Sequence, residues 1–198
     1  IFTADQGLAG GHQGLWGMGD HTRPLTAYDP TMWIPLIMRR PGSIPAGERI
    51  NRLVANYDIY PTILTHLGLA ESIPEAPEGP GRDLSLLWDG PEPKVWSEED
   101  AIYYEFENVR CIRTPVWKYI ERIGEEPNEL FHLPTDSDES QNLYNQPEHK
   151  ATQDALRLRL IAFFTRYADP KWDLWRGGDA KGGLVMGKEP YTDGWETE

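Results

Sequence analysis

The chain has 198 residues and a formal net charge of −13, from 19 Lys and Arg against 32 Asp and Glu, with a single cysteine. Such an acidic balance argues against nucleic acid or an anionic membrane as the main partner, and one cysteine excludes an intrachain disulfide. No apolar run approaches the ~20 residues of a membrane span, while a chain this long can bury about 70% of its extended-chain surface in a core.

Residues 1–4 (Ile1, Phe2, Thr3, Ala4) read as the end of a buried strand in a parallel sheet. The chain opens inside that strand and without Met, so an N-terminal truncation is expected. Asp5 and Gln6 then stand side by side before a Gly-rich loop that holds Gly10, Gly11, His12, Asp20, His21 and Arg23. Polar residues where a strand stops are where open α/β sheets place ligands. Two hard oxygen donors suit calcium or magnesium better than zinc, although an Asp-x-Gly after a strand is usually a turn. Residues 34–38 form the next apolar run, ended by Arg39, Arg40, Pro41 and Gly42. Asn56 or Asp58 can cap a helix to Leu67, with Pro61 in its first turn, Gly68 closing it, and Ile59, Ile63, Leu64 and Leu67 on the packed face.

Five prolines divide residues 71–100 and exclude long regular structure, leaving 84–88 as a short apolar patch expected to dock on the core. From 101 onward, four short strands are predicted at 101–107, 109–114, 117–123 and 129–133, in an antiparallel sheet. A polar turn over 134–145 leads to an amphipathic helix from Pro147 to about Tyr167, with Leu156, Leu160, Phe163, Phe164 and Tyr167 on its apolar side. Cys111 lies mid-strand as a packing residue. The tail, 169–198, carries Trp172, Trp175 and Trp195 among glycines, either laid across the body or lining a sugar-binding surface.

The ordered set Thr3-Ala4-Asp5-Gln6-Gly7, Gly11-His12, Leu15-Trp16-Gly17, Tyr28-Asp29, Ile34-Pro35-Leu36-Ile37 and Arg40-Pro41-Gly42 resembles the second half of a type I sulfatase, of the alkaline phosphatase superfamily. Residues 53–64, Trp117-Lys118-Tyr119-Ile120 and 129–133 through Asn142-Leu143 are similar to the family's later segments, so the resemblance runs collinearly over about 1–165. It implies an α/β chain: 1–70 as the end of an α/β/α sulfatase core, 71–100 as a crossover, and 101–168 as a small C-terminal antiparallel sheet packed with a helix, before the tail. It also implies a calcium- and formylglycine-dependent hydrolase of sulfate esters, acting on a sugar or aryl substrate and favouring a periplasmic or secreted location.

The same resemblance implies roles for individual residues. Asp5 and Gln6 match the pair that completes the family's calcium site, with Gln6 in place of the commoner Asn or His. His12 matches the histidine near the sulfate, able to donate to a sulfate oxygen or to assist the leaving group. Where many sulfatases have a sulfate-contacting Lys, this chain has Met18, in front of a segment longer than the family's. Arg23, or less favourably His21, is expected to replace that charge. The formylglycine motif, Cys/Ser-x-Pro/Ala-x-Arg, is absent, and Cys111 has the wrong spacing for it. Two further acidic ligands are absent as well. The nucleophile and half of the metal site therefore belong to a part of the sulfatase that this chain does not contain. A phosphoesterase or phosphonate hydrolase of the same superfamily and a non-catalytic glycan-binding protein are the alternatives.

Overall fold

The computed structural model describes residues 1–19, 22, 24–73, 79–88, 100–124 and 126–178. Its centre is a four-stranded antiparallel meander, β3 (Ile102–Phe106), β4 (Val109–Arg113), β5 (Trp117–Arg122) and β6 (Glu129–His132), in that spatial order. Phe106 pairs with Val109 across a two-residue turn, and Trp117 pairs with His132 at the far end of the register. Both faces of this sheet are covered, which is why β4 and β5 are buried almost throughout. On one face Ile112, Tyr119 and Leu130 meet Leu156, Leu160 and Phe164 of the long helix. On the other, Val109, Cys111, Ile120 and Phe131 meet Leu25, Ala27 and Tyr28 of an extended segment. Burial pushes the Cys111 thiol up to about 12, so it is a packing group and not a nucleophile.

The long helix (Lys150–Tyr167) follows a single 3-10 turn at Pro147–His149, where proline supplies the first-turn geometry. Phe163 leaves the helix to stack on Tyr103 of β3 at 3.8 Å between ring centroids. Beyond the helix, Arg110 is clasped between the Phe164 and Trp175 rings and pairs with Asp173, while the Trp175 indole donates to Glu107 O. The start of the tail thus lies on the body, with Trp172 half exposed. Trp195 lies outside the described residues.

The N-terminal part differs from the sequence expectation in two respects. β1 (Phe2–Thr3) and β2 (Leu36–Ile37) are two-residue strands paired antiparallel. They are not buried: Phe2 is 64% exposed and Ile37 62%. No other strand flanks them among the described residues, and Pro35 cannot donate to a ladder that would lengthen β2. In the helix Ile59–His66, the buried side is Asp58, Pro61 and Thr62, whereas Ile63 and Leu67 face outward. Asp58 accepts the backbone N–H of Ala55 at 2.9 Å and of Arg82 at 2.7 Å, and the Thr62 hydroxyl oxygen accepts that of Leu84 at 2.8 Å. Polar residues win the inner face because the segment at 82–84 docks there by its backbone, bringing the buried Leu84 with it. Among the described residues no helix is long and apolar enough to cross a membrane.

Candidate functional site

The turn after β1 is held from both sides. Gln6 N–H donates to Asp5 Oδ1 at 2.9 Å, and Gly7 N–H donates to Thr31 O at 2.9 Å. Gly7 abuts the one-turn helix at Asp29–Met32 so closely that a Cβ there would lie 2.2 Å from Pro30 O. Asp5 is exposed and Gln6 half-buried, but the Gln6 side-chain oxygen is enclosed and accepts no hydrogen bond. An enclosed, unanswered carbonyl oxygen beside a carboxylate is a hard donor pair that fits a calcium ion. Among the described residues no group of three or more His, Cys, Asp or Glu side chains could hold a metal.

His12 opens a 3-10 turn, His12–Gly14, entered through left-handed Gly11. Its ring meets Tyr28 edge-on at 5.8 Å, and its Nε2 is buried without a partner. The next residue, Gln13, donates its amide to the carbonyls of Asp138 and Glu139, which ties this turn to the segment after β6. Asp20, His21 and Arg23 lie outside the described residues, while Met18 is partly exposed beside them in sequence.

The sequence did not single out the charged residues beneath the site. Lys118, wholly buried in β5, pairs with Asp29 and Glu139 and donates to Ala27 O at 3.0 Å. Four residues on, and on the same sheet face, Arg122 donates from Nε at 3.2 Å and Nη2 at 3.1 Å to Leu25 O and pairs with Glu129, which also accepts the Tyr28 hydroxyl. Two long cations thus grip alternate carbonyls of the segment that leads into the site. The available signal was Lys118 and Arg122 on one face of β5, charges that in a strand usually mark a solvent face.

Asp29 also takes Arg113 at 3.0 Å and donates its own N–H to Glu139 at 2.6 Å. Burial alone would raise the Asp29 carboxyl, but the Lys118 charge and the bonds from Arg113 and Lys118 hold it below its ordinary value. Glu139 goes the other way, raised by burial that Lys118 only partly offsets. A folded-state pKa below the unfolded one means that Asp29 stabilises the protein above about pH 4 and that this is lost as pH falls through the folded value. Glu139 has the opposite sign and gains stability on taking up its proton. Asp29→Asn should therefore cost about 2 kcal/mol at pH 7, with a smaller gap to the unaltered chain at pH 3. Denaturant titrations at both pH values check this, and a gap of equal size in acid would disprove it.

Two cavities flank these residues. One, of about 510 Å³, is lined by Asp5 and Gln6, and the other, of about 440 Å³, by His12 and Asp138. Asp29, Trp33 and Arg113 line both and form the wall between them. Asp5 with Gln6 and His12 are thus on opposite sides of one partition.

This architecture, an α/β segment clamped onto a small antiparallel sheet backed by a helix, is that of the C-terminal portion of sulfatases. The chain belongs to the family described as N-sulphoglucosamine sulphohydrolase, C-terminal, whose profile matches residues 16–165. It is similar to an N-acetylglucosamine-6-O-sulfatase of Bacteroides thetaiotaomicron, 25% identical over 179 residues, covering 85% of this chain and 30% of that protein. A structure solved in complex with its substrate D-glucosamine-2-N,6-O-disulfate superposes with a TM-score of 0.68 at 25% identity, over 85% of this chain and 34% of the other. The phosphonate monoester hydrolase of Agrobacterium radiobacter shares the fold, with a TM-score of 0.69 at 23% identity over 83% of this chain and 34% of the other. The chain thus spans 30% and 34% of the length of the first two proteins it matches.

Proposed function

We propose that this chain is the C-terminal part of a sulfuric ester hydrolase acting on a sulfated glycan, and that it does not turn over substrate by itself. The observation that carries the metal part of this reading is the enclosed, unpartnered oxygen of Gln6 next to the Asp5 carboxylate. In the complete enzyme Asp5 and Gln6 would be ligands to calcium, which supplies positive charge to sulfate oxygens. His12, whose Nε2 has no internal partner, would hold a proton for a sulfate oxygen or the departing alcohol. Arg23 would add a planar cationic fork for the anion in place of the family Lys missing at Met18. The formylglycine nucleophile is assigned to the part of the enzyme outside this chain. A glycan rather than a simple aryl sulfate is favoured because two relatives are named for glucosamine-type substrates. The shared fold of the phosphonate monoester hydrolase keeps a phosphonate or phosphate ester as the second reading.

The test uses the complete enzyme. Asp5→Asn should weaken calcium binding in calorimetry at least about tenfold and abolish most release of sulfate from a glucosamine sulfate, because a charged ligand leaves a hard-cation site. Gln6→Ala should do less. Equal calcium affinity in the unaltered and Asp5→Asn enzymes would sink the metal assignment, and faster release from a phosphonate ester than from the sulfate would favour the second reading.

A further inference from the structure

The wall between the two cavities carries a large aromatic side chain that faces outward. Trp33 is 73% exposed, whereas an indole of this area is ordinarily mostly buried. It is nevertheless fixed in place. Its backbone N–H, closing the one-turn helix, donates to Asp29 O at 2.7 Å, and the Arg113 guanidinium sits 5.7 Å from its ring centre. Arg113 is itself held by Asp29 at 3.0 Å and by Thr114 O at 3.0 Å. An exposed aromatic face, with only two side-chain torsions to fix, loses little entropy when something flat and partly apolar is laid on it.

The charges around this face narrow what that partner is. The Arg113 charge is already answered by Asp29. Asp138, on the His12 side of the wall, makes no ion pair among the described residues, and its exposed carboxylate is an unanswered acceptor at the cavity. His12 Nε2, on the same cavity, is also unanswered. An uncompensated carboxylate welcomes hydroxyl or ammonium donors and repels a second carboxylate.

Resting on the glycan reading above, we propose that Trp33 is the stacking platform for the pyranose that bears the ester, that Asp138 accepts from its hydroxyl or ammonium groups, and that the pair selects a neutral or amino sugar over a uronate. The apolar C–H face of the ring covers the indole, and its polar edge turns to the His12 cavity. Trp33 lines both cavities, the one that holds Asp138 and His12 and the one that holds Asp5 and Gln6. Trp33 and Asp138 are specificity residues: they hold the sugar and take no part in bond breaking.

Saturation-transfer NMR on this chain, with D-glucosamine, N-acetyl-D-glucosamine and D-glucuronate as unsulfated probes and no metal, tests the proposal. Transfer should reach the axial ring protons of both amino sugars. It should be about tenfold weaker in Trp33→Ala, be retained in Trp33→Phe, and be near zero for glucuronate. Asp138→Asn should reduce the preference for glucosamine over glucuronate. Unchanged transfer in Trp33→Ala, equal binding of glucuronate, or no transfer to any probe by the unaltered chain would each overturn it. Far-ultraviolet circular dichroism of each variant separates lost binding from lost fold. The probes need neither sulfate nor calcium, so the outcome is independent of whether Asp5 is a metal ligand and whether the parent is a sulfatase.

Discussion

Lys118→Met should lower the unfolding free energy by about 3–5 kcal/mol, the cost of leaving buried charges without their partner. Met fills nearly the same volume, so packing contributes little to the loss. What is lost is the cation that Asp29 and Glu139 share and the donor to Ala27 O. Glu139 is 1% exposed, so it cannot turn to water for relief. It must take up a proton or drag its turn outward, and Gln13 is bonded to that same turn. Single domains have about 5–15 kcal/mol in total, so the variant is expected to be partly unfolded at 37 °C. Adding Glu139→Gln should recover part of the loss, because Asp29 still has Arg113 and no wholly buried carboxylate is left without a cation. Urea titration of the single and double variants measures both effects, and a single-variant loss under about 1 kcal/mol would show that the cluster is not structural.

The second large effect is expected at Gly7. An alanine methyl there would overlap Pro30 O, a backbone atom with no rotamer to escape into. Either the Gly7–Thr31 bond opens or the one-turn helix moves, at a cost of about 1–3 kcal/mol. Because Asp5 and Gln6 immediately precede Gly7, the displacement passes directly to the candidate ligands. In the complete enzyme Gly7→Ala should therefore reduce calcium affinity more than Gln6→Ala does, although it removes no donor atom. The reverse order in calorimetry would show that Gly7 does not position that pair.

Much of the C-terminal half was legible in the sequence, and the reason is local. Each strand of the meander is a short apolar or β-branched run ended by its own turn, so its bounds can be read within a residue or two. The predicted 117–123 is observed as Trp117–Arg122, and 129–133 as Glu129–His132. The long helix was legible from the spacing of Leu156, Leu160 and Phe164, which do face the sheet. Long-range polar contacts were not legible. The helix Ile59–His66 buries Thr62 and not Ile63, because Leu84, 22 residues later, brings a backbone donor to it. Lys118 and Arg122 look like surface residues until the carbonyls of Ala27 and Leu25, more than ninety residues earlier, are placed against them. At the site, Asp5, Gln6 and His12 were singled out through their resemblance to a family, whereas Trp33 and Asp138 carried no motif and come to notice only through the cavities, Trp33 on the shared wall and Asp138 beside His12.

The grip of Arg122 and Lys118 on the carbonyls of Leu25 and Ala27 also works as a firebreak for changes in chain length. A slip of one residue in this segment would present N–H groups and side chains to cations that need oxygen, so the segment can dock in one register only. A change of length upstream would therefore stop at Leu25. Tyr28, Asp29 and Trp33 downstream keep their positions against the sheet. A length change before Leu25 thus leaves undisturbed the wall on which the sugar would rest.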